Sequence, residues 1–202
     1  MATLTANGKV LHVDLHGDTV RAAQGSMVAF TGDVEFKGAS AGGFGAALKR
    51  KVAGESLQLM ECTGSGRAYL GVNAQYVTVI DLAADTLSVE SEQLLAVGPG
   101  LTLDVKFAGI GGAMSGQGLA TTTVSGNGQV AVLSDGPLMV LEVGGGQPLV
   151  VDPDAFVASS GQVRSTIVPG VSWKALFGEG SGEAFSLRFE GQGLVCIQPA
   201  ER

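Results

Sequence analysis

Apolar and polar residues alternate in step at both ends of the chain. Leu11, Val13 and Leu15 are interleaved with His12, Asp14 and His16, and Phe185, Leu187 and Phe189 with Ser186, Arg188 and Glu190. A period of two marks a strand with one buried and one solvated face. The runs at 77–82, 94–97 and 138–143 are more continuously apolar, which predicts strands covered on both faces. Helical spacing is confined to short stretches. Phe44, Leu48 and Val52 fall on one helical face, and Trp173, Leu176 and Phe177 form a second compact apolar group. Each predicts a helix of two or three turns closed by glycine, whereas residues 108–116 are too rich in glycine to hold one.

The pattern recurs along the chain. A Gly-x-Gly element occurs at 64–66, 126–128 and 191–193, and an apolar run with an acidic residue recurs around Asp81, Glu142 and Asp14. Asp85, Thr86, Leu87, Val89 and Leu94 follow Asp81 at the same steps as Asp18, Thr19, Val20, Ala22 and Met27 follow Asp14. Glu142 leads to Leu149, Val151 and Phe156 with one extra residue, taken up in the Gly144-Gly145-Gly146 turn, where added length costs little. These offsets predict three repeats, at 54–97, 116–159 and 182–199 joined with 9–30. A unit divided between the chain ends requires the strands near 10–30 to pair with those near 183–198, which closes the sheet and removes its edges. The Gly-x-Gly elements, lying between strand-like runs, read as hairpin turns or bulges.

Composition supports this picture and narrows the function. The 202 residues suffice for one domain with a proper core. They include 32 glycines and only 5% aromatics, a profile of many tight turns rather than of helices. Twelve Lys and Arg against a net charge of −7 argue against nucleic acid, which demands a basic surface. Two cysteines, Cys62 and Cys196, read as buried thiols in a reducing compartment. With no presequence pattern and no apolar run long enough to span a bilayer, a soluble, cytoplasmic protein without an integral membrane segment is expected.

Several stretches resemble the altered-inheritance-of-mitochondria protein 24 family: Gly54-Glu55-Ser56-Leu57 through Thr63-Gly64-Ser65-Gly66 to Asp81-Leu82, then Val150-Val151-Asp152 with Phe156-Val157-Ala158, and Phe189-Glu190-Gly191-Gln192-Gly193-Leu194-Val195. The likeness covers essentially the whole chain. It implies a β-rich fold grouped with the tryptophan RNA-binding attenuation protein-like sandwiches, and homo-oligomers among bacterial members. Eukaryotic members are mitochondrial and linked to inner-membrane organisation. The resemblance carries over no catalytic residues.

Among groups able to do chemistry, His12, Asp14 and His16 come first, because they include the only two histidines and share one strand face. Imidazole and carboxylate are sensible zinc ligands. Successive members stand roughly 6.5–7 Å apart on a strand, so one ion would need help from a partner strand or subunit. Recurrence of the Asp14 position as Asp81 and Glu142, without histidines, speaks for a structural role. The Gly-x-Gly elements lack the G-x-G-x-x-G continuation of a dinucleotide site and read as turns rather than phosphate cradles. Lys49, Arg50 and Lys51 form the one basic cluster, either a solvated helix face or a docking point. Trp173 and Phe177 either seat their helix on the sheet or mark a subunit interface. Asp152-Pro153-Asp154 looks like a strand exit with Asx capping. No catalytic residue, cofactor site or firm metal site emerges.

The expectation is one all-β domain over residues 1–202: a closed β-sandwich or barrel of three repeats with two or three short helices and with paired termini. It would act as a non-enzymatic homo-oligomeric scaffold, a trimer in the first instance, or as an interaction protein for an unknown protein partner. A small-ligand module, or a metal-dependent enzyme using His12, Asp14 and His16, are the alternatives.

Overall fold

The computed structural model describes residues 1–38, 57–107, 120–169 and 185–199. They form twelve strands: β1 (Thr3–Asn7), β2 (Val10–Ala23), β3 (Met27–Gly38), β4 (Leu59–Leu70), β5 (Tyr76–Glu90), β6 (Leu94–Val97), β7 (Leu101–Phe107), β8 (Ala120–Ser134), β9 (Met139–Val143), β10 (Leu149–Val151), β11 (Phe156–Pro169) and β12 (Phe185–Ile197). The fold is all-β, and every pairing among the strands is antiparallel. Two single-turn 3-10 segments, Ser91–Gln93 and Pro153–Ala155, lead into β6 and β11. The short helices expected near 44–52 and 171–177 fall outside the described residues.

The sheet runs β10-β12-β11-β5-β8-β6-β2-β4-β3, with β1 on β2, β7 on β8 and β9 on β12. The same local arrangement occurs three times. β4 pairs with β2 and β3, β8 with β5 and with β6 and β7, and β12 with β9 and β10 and with β11. This corrects the expected pairing of the chain ends. β4 lies along one edge of β2, while β1 and β6 take the other. β11 runs along one edge of β12, and β9 and β10 fill the other. Both edges of β2 and both edges of β12 are taken, and the remaining N-terminal strand, β3, pairs with β4 rather than with β12, so among the described residues the sheet is open, ending at β3 and β10.

The alternation at 11–15 is realised in β2, with Leu11, Val13 and Leu15 buried and His16 exposed. β6 is buried along its whole length, as its apolar run predicts. β9 departs from expectation: Met139 and Val140 are exposed, and among the described residues it pairs with β12 alone, near the end of the sheet.

The Gly-x-Gly elements are not hairpin turns. Each sits in the middle of a long strand, β4, β8 or β12. The register irregularities lie on the neighbouring strands, between His16 and Thr19 on β2 and between Ala83 and Asp85 on β5. Extra residues there bulge and bend those strands, and on the opposite edge the glycines let the next backbone approach closely. A Cβ at Gly66 would meet the Thr31 carbonyl, and its cross-strand partner is itself Gly32.

Three apolar clusters fill the interior. The first joins Leu11, Val13, Cys62 and Leu70 to Leu95 and Ala96, and the second joins Leu87, Val89 and Val124 to Val157 and Ala158. The third, around Phe156, Leu187, Phe189 and Val195, draws only on residues from 143 onward. Phe156 and Phe189 stack there with centroids 5.3 Å apart.

Candidate functional site

The outward row of β2 lies within a polar face that extends over four strands. Tyr69 of β4 stands opposite His12, Arg67 opposite Asp14 and Ser65 opposite His16. β3 continues the ranks with Ala29, Thr31 and Asp33, and β1 adds Thr5 and Thr3 on the other side. Burial of the alternate residues in the first cluster holds this face outward.

Arg67 grips Asp14 with both arms of its guanidinium, Nε to Oδ1 at 2.6 Å and a terminal nitrogen to Oδ2 at 3.0 Å. The His12 and Tyr69 rings meet edge to face, with centroids 5.0 Å apart. The hydrogen bond from Arg67 holds the Asp14 carboxyl below its ordinary value, against a smaller opposing effect of desolvation, and the charges of Arg67, His16 and His12 add to the lowering. The Arg67 guanidinium is raised in turn by Asp14. Both groups are partly solvated, so salt and water screen the pair.

This geometry bears on the metal candidates. Both Asp14 oxygens receive the Arg67 fork, so an ion at His12, Asp14 and His16 would have to displace a guanidinium. Among the described residues no group of three or more His, Cys, Asp and Glu is arranged to hold a metal. At the recurrent position Asp81 accepts from Gln129 Nε2 at 3.0 Å, and Gln129 Oε1 takes the Leu4 N–H at 2.7 Å. Glu142 stands opposite Leu194. In all three places the acidic residue faces the position directly after a Gly-x-Gly element.

Arg67 and Tyr69 are the site residues that sequence reasoning missed. Once 64–66 are placed mid-strand instead of in a turn, the next residues fall beside β2. Lys49, Arg50, Lys51, Trp173 and Phe177 lie outside the described residues. The capping expected at Asp152-Pro153-Asp154 is present, with Asp152 Oδ1 accepting from the Asp154 N–H at 2.9 Å. Cys62 and Cys196 are unbonded and buried. Burial pushes the Cys62 thiol up to about 12 and raises that of Cys196.

A second surface lies at the sheet end. β3 pairs with β4 alone among the described residues. Its first residues carry bare apolar groups: Met27 is 42% exposed, Val28 63% and Phe30 47%. The Phe30 ring meets Phe36 at 5.5 Å. At the opposite end Val150 of β10 is 55% exposed.

Among the described residues, a single antiparallel sheet, a polar patch fastened by one Arg–Asp fork, and apolar groups at both sheet ends define an all-β protein. No helix among the described residues is long and apolar enough to cross a membrane. The chain belongs to the mitochondrial biogenesis AIM24 family, whose match extends over residues 2–200. The crystal structure of protein SPYM3_0169 from Streptococcus pyogenes is similar, with 25% identity, a TM-score of 0.76, and coverage of 100% of this chain and 94% of that one. No curated protein matches the chain.

Proposed function

We propose that this member of the AIM24 family is a non-enzymatic, oligomeric scaffold or protein-interaction protein, built from three sequence repeats and working in the cytoplasm. The observation that carries the proposal is the bare apolar row of Met27, Val28 and Phe30 on a sheet-end strand. Open N–H and C=O groups beside apolar side chains template pairing with another chain, and stable monomers blunt such edges. The recurrent pairing of β4, β8 and β12 supports the repeat reading, with units cut near residues 9, 75 and 138 instead of divided between the termini. Two buried, unbonded thiols support a reducing compartment. Light scattering of the purified protein is expected to give a defined homo-oligomer, a trimer in the first instance. A monomer at micromolar concentration overturns the proposal. The cation and aromatic of Arg67 and Tyr69 beside His12 favour a small-ligand module as the second reading, for which native mass spectrometry would retain a bound molecule.

A further inference from the structure

Two junctions inside the chain are built to one plan. Where β2 meets β6, Arg21 faces Val97 and Ala22 faces Ala96. Where β5 meets β11, Ser88 faces Ser159, Val89 faces Ala158 and Leu87 faces Ser160. Arg21 and Ser88 stand at the same distance from Asp14 and Asp81, and Val97 and Ser159 correspond likewise from Asp81 and Glu142 once the extra residue near Gly144 is allowed for.

The same count names a third pair, Val150 on β10 and Phe30 on β3. Neither is paired with the other within the chain, since β10 and β3 are the two ends of the sheet. The neighbouring positions repeat the contrast. Leu94 and Leu95 of β6 are buried, as are Phe156 and Val157 of β11, whereas their counterparts Met27 and Val28 are exposed. Among the described residues, the corresponding segment is covered at two junctions by a strand from the adjacent unit and has no such strand at the third.

We propose that the outer edge of β3 at residues 29–31 receives the β10 strand of a second copy of this chain, with Phe30 facing Val150, Ala29 facing Val151 and Thr31 facing Leu149. The two internal junctions set this register. Phe30 and Val150 are both exposed to solvent within the chain, so neither is covered by the other and each can take its counterpart from another copy. The contact is head to tail: it uses a different surface on each partner, and copies add until a ring closes. The proposal rests on the oligomer reading and specifies where its interface lies.

The test uses the full chain carrying Phe30→Cys or Val150→Cys, co-expressed and treated with a short thiol-to-thiol crosslinker, while light scattering reports size. The native thiols are buried, and unsubstituted protein is the control. A dimer joined through positions 30 and 150 is expected only when both variants are present. Strong linking of Phe30→Cys protein to itself overturns the register in favour of a symmetric edge contact. A link between the two positions within one chain carrying both substitutions also overturns it. Absence of the mixed product from a preparation that scatters as an oligomer overturns this interface and leaves the oligomer reading standing, whereas a monomer overturns both. As an independent check, Val28→Asp is expected to lower the scattering mass with an unchanged circular dichroism spectrum, because Val28 lies outside the core. An unaltered mass counts against the interface.

Discussion

At Gly64 an added Cβ would meet the Asp33 carbonyl of the neighbouring strand while the backbone held φ at +118°. Conformation and space both exclude a side chain there. Gly64→Ala is therefore expected to destabilise the protein by roughly 2 kcal/mol or more, read as a lower denaturation midpoint with an unchanged slope. The Asp14–Arg67 pair makes a different kind of contribution. The Asp14 carboxyl lies below its ordinary value in the folded protein. Whatever stability it lends is therefore complete at pH values above the unfolded carboxyl's titration and is lost as pH falls through the depressed value. An NMR titration of the side-chain carboxyl should place Asp14 below the ordinary carboxylate range, and Arg67→Ala should return it toward that range. An unmoved titration would show the fork to be absent in solution. Only part of this was legible beforehand. Asp14 stood out as a recurrent acid, but its partner was hidden because the glycines before Arg67 look the same in a turn as in a bent strand.

Among the elements, β12 supports the most. It pairs with β11 along its length and with β9 and β10 on its other edge, and Leu187, Phe189 and Val195 are half of the third cluster. Just beyond it the buried Gln198 accepts the Asp135 N–H and donates to the Asp154 carbonyl, fastening the strand's end to two turns. Truncation before residue 185 would strip the edges of three strands and open that cluster to water. The expected result is an aggregating protein with no cooperative thermal transition, and a soluble, cooperatively melting fragment would refute it. Strand identity itself was readable from the period of two, because burial alternates wherever one face meets the core. Which strands sit at the sheet ends was not. The run at 138–143 is as apolar as a doubly covered strand, yet among the described residues β9 has a partner on one edge only, and Met139 and Val140 remain exposed.

On the scale of the whole molecule, the sequence by itself determined the class of fold and the spacing of its parts. Alternating polarity, abundant glycine and preserved offsets lead to an all-β chain, since each reports local backbone geometry that does not depend on distant contacts. The tertiary structure decided how those parts join. Offsets repeat identically whether a repeating pattern is cut at residue 54 or at residue 9, so counting cannot tell a divided unit from a contiguous one. The pairing of β4 with both β2 and β3, and of β12 with β9, β10 and β11, settles the course of the strands. It leaves β3 and β10 as ends. The physical reason is that a strand has two edges and one set of backbone hydrogen bonds for each. Once β1, β4 and β6 have filled those of β2, no arrangement of side chains can pair it with the other end of the chain.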